Sequence, residues 1–586
     1  MAVAAKVSAV RSTADEARPR APASRATVSK IESQVRQALE TANADSLIDV
    51  IIGIEAPRPI PRLPALDPRE PRSSSKNQGV LAGRRSLLQR ERLERLATQN
   101  PYVQQIAAGG GMVFDQHTLC NCFAAKVPPA LLARLVEDPG IRHIDPWFTG
   151  DPPPRNDSVA DGRRIIGSDP YFDLVVSPQV FNNYVGLLDT GVRASHVLYN
   201  SPDRIFTLRD CGYGGDECED IGDPRFNPLD TYWNHGTSTG AIISGNENLG
   251  DPSRGITYLS IDSWKIYPGN MGLDINATIK AFNASILNGD GILVAEMQPL
   301  LTPASSLAVA SNDAYDSGSA VIAANGNYGP APRTVACPAN AQKAIGVGAF
   351  DIDRLTQEDY QSRGPTVDNR IKPDLQMPTN SITASNVSDT ALHSFGGTSG
   401  ATPYASGAAA SLRNWYIAQE LCSPDNCPPG LIYAALLMFG SKFGPLEWNN
   451  TVGTGSTHLG AIDPDCSHWL VGSATLEEEG TIIDIPFDAD SDRDADFRSA
   501  VWWPDALDGS TLIHSEVDLS ILDPSGVEVS SSVSDISVFE NAMVVGPMAS
   551  GKWTIRLIGT QIPQPQIAYY AAYAGAGKGC GSRYSR

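Results

Sequence analysis

No uninterrupted apolar run in this chain approaches the ~18 residues that a membrane-spanning helix needs, so the sequence predicts no membrane insertion. The opening stretch is equally poor in apolar residues: its longest run is Ala2-Val3-Ala4-Ala5, too brief for a secretory signal core, and export is not written in this start. Lys6, Arg11, Arg18, Arg20 and Arg25 among Ala and Ser instead give residues 1–45 the texture of a transit-type leader or a disordered segment. Basic residues are the minority: 45 Lys and Arg against 66 Asp and Glu leave a formal charge of −21, which disfavours nucleic acid and anionic membranes as partners. That imbalance is uneven, since residues 1–150 hold 20 Lys and Arg against 15 Asp and Glu, so a basic front half could dock on an acidic remainder. Zinc-type spacing is missing too, because no CxxC pair repeats and no His follows at ligand distance.

What is present is enough chain for several cores. The 586 residues, 41% hydrophobic and 19% charged, suit roughly two to four domains. Nine cysteines are an odd number. Cys211 and Cys218 flank a Gly-rich acidic loop, and Cys422 and Cys427 flank Ser-Pro-Asp-Asn, so either pair could close a short disulfide ring. Free or buried thiols in a cytosolic protein are the competing reading.

Along residues 46–150, Leu47–Ile52 reads as a strand, a Pro/Arg-rich connection follows to Arg72, and a charged helix is expected around Arg84–Leu96. Cys122–Val127 reads as a strand, Pro128–Glu137 as a helix with Leu131, Leu132, Leu135 and Val136 on one face, and Ile141–Ile144 as a further strand. Asp151-Pro152-Pro153-Pro154 opens a linker over residues 151–165, because consecutive prolines cannot join a ladder. From Tyr184 to about Met438, apolar runs at Val185–Leu188, Ile292–Ala295 and Val321–Ala324 alternate with helical patterns around Ile279–Ile286 and Leu307–Tyr315. That alternation predicts an α/β fold, a parallel sheet covered by helices with its site at one sheet edge. Beyond roughly residue 475, alternating strands at Gly480–Pro486, Val517–Leu522, Met543–Gly546 and Trp553–Ile558 predict an all-β sandwich.

Three signatures carry chemistry. Asp189 ends Leu187-Leu188-Asp189-Thr190-Gly191, His235 opens His235-Gly236-Thr237-Ser238-Thr239-Gly240, and Ser399 lies in Gly397-Thr398-Ser399-Gly400-Ala401-Thr402-Pro403. A serine hydroxyl is a poor nucleophile until a base takes its proton, so Ser399 needs His235, and His235 needs a carboxylate such as Asp189 to hold and stabilise the imidazolium. Gly236 and Gly240 allow a helix beginning at His235 to pack closely on the sheet. A helix opening at Thr398-Ser399, with Pro403 in its first turn, would place the nucleophile at a positive helix end.

These motifs, in the order Asp, His, Ser, resemble the subtilases, the subtilisin-like serine proteases. The resemblance implies a catalytic triad of Asp189, His235 and Ser399 in a subtilisin-like domain over residues 166–470. Ala323-Ala324-Asn325-Gly326-Asn327-Tyr328-Gly329 is similar to the family's oxyanion segment, which implies Asn327 as side-chain donor, with Asn325 as the second choice and the Ser399 N–H as partner donor. Ser362–Thr366 and Arg370–Leu375 match family loops. The end of residues 46–150 resembles a subtilase prodomain, acting on its own chain as inhibitor and chaperone, cut within 151–165. Residues 475–575 look like the jelly-roll domains appended to many subtilases, followed by a tail at 576–586. The chain departs from the family at Ser238, Thr239, Gly400 and Tyr404. It also has Glu296-Met297-Gln298-Pro299 where a Ser-Leu-Gly segment usually pairs with substrate backbone, and proline cannot donate there.

The expectation is therefore a serine endopeptidase made as a zymogen and acting on polypeptide substrates. It needs no cofactor for its chemistry. Structural calcium is a possibility at the acidic stretch Asp488–Asp496 or the loop Asp216–Asp220. Family resemblance and paired cysteines point to a secreted or extracytoplasmic protein, with the cytoplasm as alternative. The alternative function is a catalytically silent subtilase-fold binding protein, favoured mildly by Gln298-Pro299 and Tyr404.

Overall fold

The computed structural model describes residues 30–43, 46–147, 162–175, 184–212, 218–219, 227–231, 233–269, 271–351, 356–423, 427–441, 449–462, 467–489, 494–508, 511–546 and 548–576. Most of the expected leader and linker, parts of both acidic loops and nearly all of the tail lie outside these residues.

The chain first forms α1 (Ser33–Thr41), β1 (Ile48–Ile54), α2 (Ser75–Ala108), β2 (Met112–His117), β3 (Cys122–Val127), α3 (Pro129–Val136) and β4 (Ile141–Pro146). The strands make an antiparallel sheet in the order β2-β3-β1-β4. β1 is apolar at nearly every position because both of its faces are covered. Val50 and Ile52 pack with Leu131, Leu132 and Leu135 of α3. Ile51 and Ala124 turn the other way, into a core shared with residues of the next unit.

That next unit contains α4 (Gly162–Ile166), α5 (Asp169–Val175), β5 (Tyr184–Asp189), β6 (Ile205–Asp210), α6 (Gly236–Ser244), β7 (Ser260–Lys265), α7 (Ile275–Asn288), β8 (Ile292–Ala295), α8 (Ser306–Asp316), β9 (Ala320–Ala324), β10 (Ala344–Asp351), β11 (Thr356–Gln357), β12 (Leu375–Thr379), β13 (Ser381–Ala384), β14 (Leu392–Phe395), α9 (Gly397–Ala418) and α10 (Pro429–Met438). The sheet runs β12-β10-β9-β8-β5-β7-β6 with every neighbour parallel, and Ser456–Thr457 continues it in parallel beside β12. The expected α/β architecture is what forms. Alternate residues of each strand feed opposite cores: Leu188, Leu293 and Val321 meet α7 and α8, while Leu187, Val294 and Ile322 meet α6, α9 and α10. Each such leucine, isoleucine or valine contributes roughly 1.5–3 kcal/mol by burial.

The N-terminal unit docks through polar contacts at the starts of α7 and α8 and in the loop that leads into α8. Asp145 Oδ2 accepts from Ser306 N at 2.6 Å, Glu32 Oε1 accepts from Thr302 N at 2.7 Å, and Trp147 Nε1 donates to Asp274 Oδ1 at 3.1 Å. Arg72 adds ion pairs to Asp262 at 2.8 Å and Asp290 at 3.4 Å. The contact is thus not simply a basic surface on an acidic one, because Asp145 of the front half meets the N-terminus of α8 and Glu32 the loop before it.

Two four-stranded antiparallel sheets complete the chain. One orders Ser467–Leu476, Gln566–Ala576, Asp494–Trp502 and Phe539–Val545; the other orders Ile482–Ala489, Gly551–Gln561, Glu516–Leu522 and Glu528–Ser532. The first of these strands starts upstream of residue 475. α10 lies against this region, with the Tyr433 and Trp502 rings 4.9 Å apart and the Tyr569 ring seated where Gly430 has no side chain. Disulfides join Cys211–Cys218 and Cys422–Cys427, as the spacing suggested, and also Cys120–Cys122; Cys337 is buried and free. Among the described residues no helix is long and apolar enough to cross a membrane.

Candidate active site

β5 ends at Asp189 and α6 begins one residue after His235, so the sheet edge and a helix start meet here. Their approach depends on missing side chains. A Cβ on Gly236 would come within 2.2 Å of Gly191 O, and one on Gly240 within 2.8 Å of the Tyr199 hydroxyl. The imidazole Nδ1 of His235 lies 2.8 Å and 2.9 Å from the two Asp189 oxygens, with both residues almost fully buried. A ring nitrogen facing a carboxylate carries the proton, which leaves Nε2 as the basic lone pair. Nε2 has no hydrogen-bond partner. Phe395 sets its edge against the ring, with centroids 4.8 Å apart.

Asp230, absent from the sequence reading, holds this junction together. Its carboxylate accepts from Thr237 N at 3.2 Å, Thr237 Oγ1 at 2.8 Å, Asn234 N at 3.0 Å and Thr190 Oγ1 at 3.2 Å. Burial pushes its carboxyl above the usual range, against the pull of the Thr237 bonds. No motif marks it, since its partners assemble only in the fold.

Ser399 is the third residue of α9, within the turn whose N–H groups have no intrahelical acceptors. Pro403 is not in that first turn, as expected, but inside the helix. It stands four residues after Ser399 and cannot donate to the Ser399 carbonyl. Gly400 is required by close quarters, because a Cβ there would lie 2.7 Å from Thr379 Oγ1 and 3.1 Å from Phe395 O. Tyr404 bonds Ser381 Oγ at 2.6 Å and covers Gly162, so it serves packing. Ser238 meets His393 Nε2 at 2.6 Å.

Asn327 faces Ser399 across Gln298. Asn327 Oδ1 accepts from Thr398 N at 2.9 Å, which fixes the amide so that Nδ2 points outward and donates to Gln298 Oε1 at 3.0 Å. Gln298 Nε2 in turn donates to Ser399 Oγ at 2.8 Å. The Tyr328 hydroxyl donates to the Gln298 carbonyl at 2.6 Å. One side-chain amide therefore engages both Ser399 and Asn327. Asn325 is excluded as the donor: its amide is spent on Ser362 O at 2.7 Å, within the core. Sequence reasoning singled out Pro299 and missed the contacts of its neighbour Gln298.

Among the described residues, Glu32, His143 and Asp145 form a buried group of metal-ligand type. Glu32 and Asp145 already accept from Thr302 and Ser306 at the N-terminal interface, which gives the group a structural role.

Residues 182–455 match Peptidase_S8, the subtilase family. The chain is 39% identical over 72 residues to the serine protease AprX of Bacillus subtilis (strain 168), covering 11% of this chain and 16% of that protein. It is 27% identical over 329 residues to the extracellular serine proteinase of Thermus sp. (strain Rt41A), covering 53% of this chain and 70% of that protein.

Proposed function

We propose that the subtilase domain at residues 182–455 makes this chain a serine endopeptidase in which Asp189, His235 and Ser399 act as the triad and Asn327 as the oxyanion donor. The observation that carries this reading is the doubly contacted Asp189–His235 pair, with Nε2 left without a partner.

In this mechanism Ser399 Oγ attacks the peptide carbonyl as its proton passes to His235 Nε2. Asp189 stabilises the imidazolium so formed. The carbonyl electron pair moves onto oxygen, facing Asn327 Nδ2 and the Ser399 N–H at the positive end of α9. His235 then protonates the departing amine as the C–N bond breaks, and water repeats the sequence to free the acid. A substrate must first displace Gln298, whose amide holds the same donor and nucleophile that a scissile amide would use.

The N-terminal sheet is read as a prodomain, made as part of a zymogen and docked on α7 and α8. The buried contacts from Glu32, Asp145 and Trp147 support that role as chaperone and inhibitor. An extracytoplasmic location is supported by the three disulfides and by a relative described as extracellular. Polypeptide is the substrate class, and the chemistry requires no cofactor. Structural calcium belongs to the same proposal.

The hold of Gln298 on Ser399 and Asn327 also favours a second reading, a silent binding protein whose site is permanently filled. Intact-mass analysis with a fluorophosphonate separates the two. Labelling of the wild type at Ser399, together with a cut within residues 151–165 that Ser399→Ala lacks, is expected of the zymogen; an unlabelled, uncut wild type would establish the silent protein.

A further inference from the structure

Glu296 follows β8 directly, and its N–H bonds Leu188 O at 3.3 Å, which sets it beside Asp189 on the neighbouring strand. Its side chain is fully buried, and neither carboxyl oxygen has a hydrogen-bond partner of ordinary geometry. The groups facing it are the Ser399 hydroxyl, the Asp189 carboxylate and the Tyr267 phenol, and no Lys or Arg is among those acting on it. An ionised Glu296 would be a second desolvated negative charge next to Asp189, with no cation to offset it. Burial first, and then the charge of Asp189, keep its proton on well above the usual carboxylate range, with the Ser399 hydroxyl pulling the other way.

We propose that Glu296 is a further catalytic residue whose neutral carboxyl supports Ser399 and whose ionised form arrests it. The proposal rests on the serine-endopeptidase reading and deepens it. Ser399 Oγ accepts a hydrogen bond from Gln298 Nε2 at 2.8 Å, while His235 Nε2 and both Glu296 oxygens have no hydrogen-bond partner of ordinary geometry, so in the proposed cycle these two compete for the single Ser399 proton. A neutral carboxyl is a weak acceptor. The proton then goes to His235 as the Oγ–C bond forms, and passes from there to the leaving nitrogen as the C–N bond breaks, while Glu296 ends the cycle protonated as it began. When Glu296 loses its proton to solvent, the carboxylate takes the Ser399 hydrogen bond firmly and holds that proton away from His235. The same charge also opposes the negative charge developing on the carbonyl oxygen.

The test is the rate of fluorophosphonate labelling of the full chain across pH, with Ser399→Ala as the unlabelled control. The wild-type rate should fall on the alkaline side. Glu296→Gln keeps hydrogen-bonding capacity but cannot ionise, and it should label at least about tenfold faster than wild type on the alkaline side, where the wild-type rate has fallen. Glu296→Asp should keep the fall with a displaced midpoint, and it serves if the Gln variant fails to fold. A wild-type rate that stays level into alkali, an identical fall in folded Glu296→Gln, an unmoved midpoint in Glu296→Asp, or a folded Glu296→Gln that is unreactive at neutral pH would each overturn the role. Wild type unlabelled at every pH would remove the endopeptidase reading itself, whereas labelling with the wrong profile removes only Glu296.

Discussion

The side-chain amide of Asn327 donates to the side-chain oxygen of Gln298 at 3.0 Å, so the group assigned to the oxyanion is occupied by a neighbour of like chemistry. With the second bond, from Gln298 Nε2 to Ser399 Oγ at 2.8 Å, the resting site holds a mimic of a peptide group. Each bond is worth about 1 kcal/mol net. Gln298→Ala should therefore label with fluorophosphonate about tenfold faster than wild type, allowing for water refilling the space. Equal or slower labelling would show that Gln298 yields without cost.

Asn327→Ala removes the proposed side-chain donor while leaving the proposed triad in place. The expected result is a fall of about 10²-fold in kcat with little change in KM, since the lost bond forms only as charge develops. Steady-state kinetics on a fluorogenic peptide would measure it, and a change confined to KM would assign Asn327 to substrate binding.

Gly236→Ala tests how the Asp189–His235 pair is held. The new Cβ would sit 2.2 Å from Gly191 O and 3.2 Å from the Asp189 carboxyl carbon, both fixed atoms. α6 must retreat, separating His235 from Asp189, with a stability loss of about 1–3 kcal/mol. Activity should fall much further than thermal stability; unchanged activity would mean the helix start tolerates displacement.

Asp274 gives a pH dependence to folding. It caps α7, its Oδ1 accepting from Ala277 N at 3.0 Å and from Trp147 Nε1 at 3.1 Å, and burial pushes its carboxyl from 3.8 up to about 6. A raised acid favours the folded state most fully below the unfolded value, and that contribution is lost as pH rises through about 6. The loss amounts to about 3 kcal/mol. Asp274→Asn keeps one oxygen for both donors without the charge. It should melt above wild type at about pH 8 and level with it at about pH 4 in thermal scans; the reverse order would contradict the burial argument.

The sequence disclosed elements whose interior is apolar and hid those whose interior is polar. β3, α3, β5 and β8 stood out because Phe123, Leu132, Leu187 and Leu293 occur in uninterrupted or one-sided apolar patterns. α2 was read only around residues 84–96, although it spans Ser75–Ala108. Its buried positions Asn77, Leu81, Arg84, Leu88, Glu91, Arg95 and Gln99 keep helical spacing, but most are polar, so hydropathy alone shows no stripe. β2 was missed for a related reason, being short with only two of its six residues buried. The residues expected for the triad and the oxyanion donor were legible because their glycine-rich settings are local. Asp230, Gln298 and Glu296 act through contacts between distant segments, and no spacing rule reveals those.

α10 has consequences for where this molecule can be cut down. Every residue of it is buried, and the cover on one side comes from Trp502 and Tyr569, while Asn541 Nδ2 donates to Leu437 O at 2.7 Å. The match to the subtilase family model stops at residue 455, before any of that cover is made. A fragment trimmed to it would present Tyr433, Leu436 and their neighbours bare to water, an invitation to aggregate. The family match and mechanical integrity thus end at different places in this chain, and a recombinant protein meant to stay folded should retain the strands through Ala576.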